Sequence, residues 1–291
     1  MLFSLWDAAA IALKTLTYAA TLGAAGAVFF LRYEGMLIRS ADRLRIRRLV
    51  LGLALLSVLA GAAQVVVSAG SMSGAAAGMW DGSLLRMVWQ AGAGRANTAR
   101  AIGLLPAVFV GLPDRPSWPA LLGAALAATS FAWMGHARAL SPDAVPILLL
   151  GVHLLGVAFW LGALLPLLIV ARDGDLPRIA AAAARFGAAA VIVVGVLVAA
   201  GTALLWLLLG GVAALWGSTY GRFVMVKLMF VACLLCLAAL NKLRLTPRLR
   251  GGDGRAVRSL RTSIRLELLA GMLILTVTAA FTTLAGPPAL D

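Results

Sequence analysis

The stretch FGAAAVIVVGVLVAAGTALLWLLLG, residues Phe186 to Gly210, decides the fold class. It contains no charged residue, and it is longer than the roughly 20 residues that an α-helix needs to cross a bilayer. We therefore predict a transmembrane helix here. The composition extends this prediction to the whole chain, because 62% of the 291 residues are hydrophobic and only 12% are charged. A soluble domain has about 45–50% apolar and about 25% charged residues.

Working outward, seven more apolar runs predict an all-α, polytopic membrane bundle of about eight transmembrane helices, in a single domain over residues 1–291. The other expected spans are Trp6 to Leu31, Leu49 to Ser71, Ala96 to Leu112, Trp118 to His136, Val145 to Ala171, Tyr220 to Leu240 and Ile264 to Leu284. The run from Ala96 is the weakest, because Arg100 and Pro106 interrupt it. Ser83 to Gln90, before it, is typical of a short amphipathic helix in the interface.

The distribution of basic residues predicts the orientation. The formal net charge is +14, from 25 Lys and Arg against 11 Asp and Glu. In a membrane protein the basic residues collect in cytoplasmic loops, so we favour orientation over nucleic-acid binding as the reason for this charge. Arg32 to Arg48 and Lys242 to Arg265 hold most of the basic residues between spans. We therefore expect both termini to be periplasmic, and the first run, which contains Lys14, to be a retained span.

Two histidines, the only ones in the chain, are the main candidates for chemistry. His136 ends the fourth expected span, and His153 lies about two turns into the fifth. The connection is short, so these helices are expected to be antiparallel neighbours whose imidazoles converge, with the thioether of Met134 alongside. Imidazole and thioether suit copper, particularly Cu(I). The alternative is that His136 is an interfacial surface residue and His153 a hydrogen-bonded interior one.

Other side chains are weaker candidates for metal binding or for shaping the site. The weaker metal candidates are Met72, Met79, Cys233 and Cys236. Methionine and cysteine in apolar helices are also ordinary packing residues. The site-shaping candidates are Trp160, Lys227 and Glu267. Trp160 shares the helix face of His153 by its spacing and is expected to form the floor of the site.

Ionisable residues within spans usually face the bundle interior and have partners. Cations at the positions of Lys14 and Lys227 would repel a copper ion, which argues against an open cation pore. We expect these two lysines to snorkel outward or to pair with an acid, the candidates being Asp7, Asp81 and Asp143. Glu267 is expected to pair with Arg265 or to cap the inner face.

Several motifs, in order along the chain, resemble one bacterial membrane family. They are Gly135-His136-Ala137, His153-Leu-Leu-Gly-Val-Ala-Phe-Trp160-Leu-Gly162, Ser218-Thr-Tyr-Gly221 followed by Lys227, Asn241-Lys-Leu-Arg-Leu-Thr-Pro247, and Ser263 to Glu267. This pattern resembles the copper-resistance protein D (CopD) family of bacterial inner-membrane proteins. The resemblance covers most of Leu49 to Pro287 and is densest from residue 131 to 287.

The resemblance implies copper binding, copper homeostasis and resistance, and transport of copper from the periplasm toward the cytoplasm. It implies no enzymatic activity. Its implied partner is a periplasmic copper-binding protein C-like carrier, expected here as a separate chain. The residues do not fix whether copper is bound as Cu(I) or Cu(II).

Two other functions stay open on the same residues. His136 and His153 could ligate a single b-type haem, which would make the protein a membrane electron carrier or metal reductase. The protein could also dock a copper carrier and transport nothing. The two histidines lie at one end of the expected bundle with no second pair, which limits the haem alternative to a single haem.

Overall fold

A computed structural model describes residues 4–35, 38–108, 117–133, 144–172, 175–209 and 213–285, and over these ranges the regular structure is entirely helical. The main helices are α1 (Leu5–Glu34), α2 (Ser40–Ser73), α3 (Gly82–Gln90), α4 (Gly92–Val108), α5 (Trp118–Trp133), α6 (Val145–Val170), α7 (Leu176–Leu209), α8 (Thr219–Arg250) and α9 (Arg255–Leu284). The protein is therefore an all-α membrane bundle.

Among the described residues, six helices are long and apolar enough to cross a membrane, namely α1, α2, α6, α7, α8 and α9. The two remaining expected spans correspond to the shorter helices α4 and α5, which pack against each other. At their crossing, a Cβ added to Gly103 would lie 2.9 Å from the backbone nitrogen of Ala127. Helices can approach this closely only through small residues. The expected count of eight crossings stays a prediction that depends on this pair.

The third expected span, which is the weakest by hydropathy, contains a charged residue whose partners lie inside the bundle. Arg100 on α4 is 2% exposed, and its guanidinium lies 4.1 Å from the centre of the Phe131 ring. Nη1 donates to Asn97 Oδ1 at 2.5 Å, and Nε donates to Ser130 Oγ at 3.3 Å. A charge inside the bundle needs such partners. The arginine that weakens the hydropathy signal therefore joins α4 to the end of α5.

Helix α1 lies at the centre of the bundle, in contact with α2, α5, α6 and α9. It has the largest buried fraction of the six long helices, at 61% of its most apolar window. Its contact with α6 is backbone to backbone, because a Cβ on Gly26 would lie 2.5 Å from the Cα of Gly162. On the side of α2, Thr21 and Ser57 hydroxyls share a 2.6 Å hydrogen bond. Glycine and small polar residues thus set the spacing of the central helix.

Basic side chains gather at one end of the bundle, which we call the basic face. Lys242 donates to the carbonyl of Gly187 at 3.0 Å, and Arg261 donates to the carbonyl of Arg172 at 2.6 Å. Arg185 on α7 forms an ion pair with Glu34, at 3.3 Å between Nε and Oε2. The connections α1–α2, α6–α7 and α8–α9 therefore meet at the same end, as the distribution of basic residues predicts.

Candidate functional site

His153 lies on α6 with its imidazole against α7. Nδ1 is 3.2 Å from the carbonyl oxygen of Leu197. A carbonyl oxygen only accepts hydrogen bonds, so Nδ1 carries the ring proton and donates it. Nε2 then keeps its lone pair, which is the form in which a neutral histidine binds a metal. Metal-binding histidines commonly donate their second ring nitrogen to a carbonyl in this way.

Two glycines allow the imidazole to reach the α7 backbone. A Cβ added to Gly201 would lie 3.1 Å from both Cε1 and Nδ1 of His153. One turn along α6, a Cβ on Gly156 would meet the side chain of Leu197 at 3.2 Å. The absence of side chains at these positions lets α6 and α7 approach, and the approach fixes the ring.

The structure places His153 and α5 on different sides of α6. Helix α5 meets α6 at Gly151, where an added Cβ would contact Thr129 at 3.7 Å. Residues two apart on a helix point in nearly opposite directions, so His153 points toward α7 instead. His136 and Met134 lie outside the described residues. Their convergence with His153 therefore stays a prediction.

The two intramembrane lysines have partners other than the expected acids. Lys14 Nζ donates to Thr283 Oγ1 at 3.1 Å, and also to Thr282, at 3.1 Å to its Oγ1 and 3.2 Å to its carbonyl oxygen. Lys227 Nζ lies 5.7 Å from the centre of the Phe281 ring, which is within the range of a cation–π contact. Cations at these two positions argue against an open cation pore through the bundle.

Two of the expected acidic partners are used in capping helices, which corrects the pairing expectation. Asp7 forms a capping box with Ser4 at the start of α1. Asp81 caps α3 by accepting from the backbone nitrogen of Ser83 at 2.8 Å. A side chain held in a local cap is not available to a distant lysine. Asp143, the third candidate, lies outside the described residues.

The sulfur candidates are dispersed. Met72 is 55% exposed, and Cys233 and Cys236 are free and exposed on α8. Met79 packs beside Trp6 against Gly70. Among the described residues, no three His, Cys, Asp or Glu side chains come together as a metal site. Within the described residues, Cys233 and Cys236 therefore form no three-ligand metal site with His153.

Toward the basic face, Trp160 and Glu267 line one cavity of about 300 Å³. Trp160 is 3% exposed, which agrees with an interior position. Glu267 is 2% exposed and accepts a hydrogen bond from Nδ2 of Asn241. The expected pairing of Glu267 with Arg265 is wrong, because the donor is an amide on α8, while the alternative that Glu267 caps the inner face stays a prediction.

Comparison with known proteins identifies the family. Residues 180–281 match the family model described as copper resistance protein D, and residues 5–143 match the model of the copper resistance protein D-like N-terminal domain. The chain belongs to the copper resistance protein D family. Copper resistance protein D of Pseudomonas syringae pv. tomato is 29% identical over 273 residues, which are 85% of this chain and 86% of that protein.

A second relative of this copper resistance protein D family member is the copper transport protein CutJ of Bacillus subtilis. It is 26% identical over 161 residues, which are 54% of this chain but only 28% of that longer protein. No solved structure matches the chain. Both relatives carry copper in their names, and neither supports the b-type haem alternative.

The family motifs occupy defined places in the bundle. Ser218 caps α8 by accepting from the backbone nitrogen of Gly221 at 2.9 Å. Asn241 and Glu267, from the last two motifs, meet across α8 and α9. The motif pattern pointed to both residues of this pair, since each stands in one of the family motifs. No motif pointed to Leu197, whose backbone carbonyl contacts His153. None pointed to Gly201 either, which leaves room for the imidazole because it has no side chain.

Proposed function

We propose that the protein binds copper at His153 and moves it across the bacterial inner membrane, from the periplasm toward the cytoplasm. The observation that carries this proposal is the orientation of one imidazole within a copper resistance protein D family member. The carbonyl oxygen of Leu197 lies 3.2 Å from Nδ1 of His153 and accepts its hydrogen bond, which leaves Nε2 as a ligand. Imidazole nitrogen is a good ligand for copper in either oxidation state.

One imidazole does not complete a copper site, so further ligands are needed. We propose His136 and Met134, because they follow directly after α5. The last turn of α5, Ser130–Trp133, contacts α6, the helix that carries His153. Because the imidazole faces α7, the two ligands would have to reach it around α6. The thioether of Met134 would favour Cu(I). Met72 and Met79, and less so Cys233 and Cys236, are secondary candidates for receiving or passing the ion.

The orientation and the donor of copper belong to the same proposal. We place the basic face in the cytoplasm by the positive-inside rule, so that both termini and the entry to the site face the periplasm. A separate periplasmic copper-binding protein C-like carrier would supply the ion there. The protein acts as a transporter in this proposal and not as an enzyme.

Copper uptake into proteoliposomes tests the proposal. The variants are H153A, H136A and, as a matched control on the same helix, L148A. Leu148 is 67% exposed, so its truncation leaves the bundle interior unchanged. We expect uptake by L148A to equal that of the wild type. Uptake by H153A should fall by at least about tenfold, because even the loss of a residue that only supports a metal ligand costs about 10–100-fold in metal affinity or activity. Wild-type uptake in H153A would contradict the proposal, and wild-type uptake in H136A alone would remove His136 from it.

A further inference from the structure

A buried carboxyl group lies near the basic face without a cationic partner among the described residues. Glu267 on α9 is 2% exposed, and Nδ2 of Asn241 is its hydrogen-bond donor. The basic side chains of the neighbouring part of the basic face are engaged elsewhere or exposed. Lys242 donates to the Gly187 carbonyl, Arg185 pairs with Glu34, Arg261 donates to the Ala171 and Arg172 carbonyls, and Arg265 is exposed on α9.

Two further buried oxygens around Glu267 have no hydrogen-bond partner in the described structure. One is Oδ1 of Asn241, whose amide nitrogen already contacts Glu267. The other is Oγ of Ser263, one turn before Glu267 on α9 and 4% exposed. Unpaired buried polar atoms are costly, and each one calls for a missing proton, water or ion.

A cavity connects this cluster to the basic face. It has a volume of about 300 Å³, and Glu267, Asn241 and Lys242 line it together with mostly apolar side chains such as Trp160 and Phe186. A cavity of this size has room for several water molecules, which would bind at its polar lining of Glu267, Asn241 and Lys242. Because Lys242 lies at the basic face, water from that side has a route to the carboxyl group.

We propose that Glu267, with Asn241 and Ser263, forms a proton-binding site that exchanges protons with water at the basic face. An ionised carboxylate inside a bundle is costly without a cation beside it. A bound proton removes that charge, and the resulting O–H can donate to Ser263 Oγ or Asn241 Oδ1, which both lack a donor. When the proton leaves for the cavity water, the carboxylate keeps the amide hydrogen bond from Asn241.

The number of oxygens favours a proton over a metal cation. Hard metal cations are held by several oxygen ligands, and the described cluster offers the Glu267 carboxylate and two single oxygens. Copper in the Cu(I) state prefers sulfur and imidazole, which this cluster does not contain. The site therefore differs in chemistry from the copper site at His153.

A role for this proton-binding site in transport rests on the proposed copper-transport function. If copper moves toward the basic face, a proton released or taken up at Glu267 could balance part of the charge that is moved. We infer that transport by this protein depends on the proton gradient through Glu267.

Infrared spectroscopy of the purified protein tests proton binding without requiring transport. The carbonyl stretch of a protonated carboxylic acid is separate from the carboxylate bands. We expect a protonated-acid band at neutral pH that is absent in E267Q and kept in D253N, whose carboxyl lies in the exposed α8–α9 turn. Loss of the band in D253N, or its survival in E267Q, would overturn the proposal.

Two further measurements separate the alternatives. Trp160 lines the same cavity, so its fluorescence reports on the site, with W160F as the control. We expect the fluorescence to change with pH and to stay constant when NaCl replaces choline chloride at constant pH. A response to sodium would overturn the proton assignment.

In proteoliposomes that take up copper, we expect copper uptake by E267Q to lose its dependence on an imposed pH gradient. Uptake by E267Q that still depends on the gradient would remove Glu267 from coupling. If the wild-type protein took up no copper but showed the protonated-acid band, the result would contradict the transport proposal and not the proton-binding site.

Discussion

The orientation of the His153 imidazole depends on a glycine of the neighbouring helix. Gly201 leaves room for the ring, and the ring donates to the Leu197 carbonyl one turn away on α7. A methyl group at position 201 would stand 3.1 Å from two ring atoms. It would push the imidazole away and weaken the hydrogen bond that fixes the tautomer.

We therefore predict that G201A lowers copper affinity by about 10–100-fold, the usual effect of losing an outer partner of a metal-binding histidine. The measurement is a competition titration with a copper chelator of known affinity. G195A is the matched control, because a Cβ at Gly195 on the same helix would meet nothing within 4 Å. Equal affinities for G201A and G195A would show that the ring position does not govern binding.

Residue-level prediction from the sequence selected candidates where a motif contained the residue, and it failed where geometry decided the partner. His153 stands in a recognisable motif, and its placement beside the Leu197 carbonyl fits a ligand role. Glu267 was expected either to cap the inner face or to pair with Arg265, which is only two positions away. Side chains two apart on a helix do not face each other, so the partner comes from another helix, as Asn241.

At the scale of helices, the α1–α6 crossing depends on glycine. A Cβ on Gly26 would overlap the backbone of Gly162 and the carbonyl of Ala158. Overpacking of a close contact typically costs about 1–3 kcal/mol. We predict that G26A lowers the thermal unfolding temperature of the detergent-solubilised protein, while G52A, where a Cβ would meet nothing within 4 Å, leaves it unchanged. Equal melting of both variants would contradict the backbone-to-backbone contact.

The α8–α9 turn is held by a carboxylate that titrates in acid. Arg248 donates to Asp253 Oδ2 at 2.7 Å, and the backbone nitrogen of Arg255 donates to Oδ1 at 2.9 Å. The Arg248 hydrogen bond, followed by that backbone bond, lowers the pKa of Asp253 below its ordinary value of 3.8. A lowered pKa means that the contribution of Asp253 is present above its unfolded pKa and is lost as the pH falls through the folded value.

We predict that amide-exchange protection factors in residues 251–254 fall as the pH drops below about 4, the ordinary pKa range of an aspartate. In D253N the protection should already be reduced at neutral pH and should not change further in acid. Hydrogen exchange measured by mass spectrometry on both proteins gives the comparison. A turn in wild-type protein that keeps full protection in acid would mean that the ion pair does not hold it.

The whole bundle is predicted to place both termini opposite the basic face. With about eight crossings and the basic loops in the cytoplasm, both termini are periplasmic. A green fluorescent protein fused to the C-terminus should then be dark, and an alkaline phosphatase fused there should be active. The same reporters placed in the α8–α9 turn should give the reverse. A fluorescent C-terminal fusion would contradict the orientation and the even number of crossings.

For the whole molecule, hydropathy was enough to predict an all-α membrane bundle, because long uncharged runs have few other solutions. Whether each apolar run forms a membrane-spanning helix was harder to predict. Helix α4 is a weak span by composition, yet Arg100 is satisfied inside the bundle by Asn97, Ser130 and the Phe131 ring. Such partners come from other helices, and a hydropathy window does not contain them. The candidate site was harder still, because His153 is fixed by a carbonyl and a glycine.

The central claim is that His153 supplies a nitrogen ligand to copper. X-ray absorption spectroscopy of the copper-loaded protein tests it most directly, because imidazole nitrogens give a characteristic scattering pattern around the metal. The account predicts this pattern in the wild type and in L148A, with one imidazole fewer in H153A at a lower copper content. A copper environment in H153A that is identical to the wild type, at equal copper content, would contradict the account.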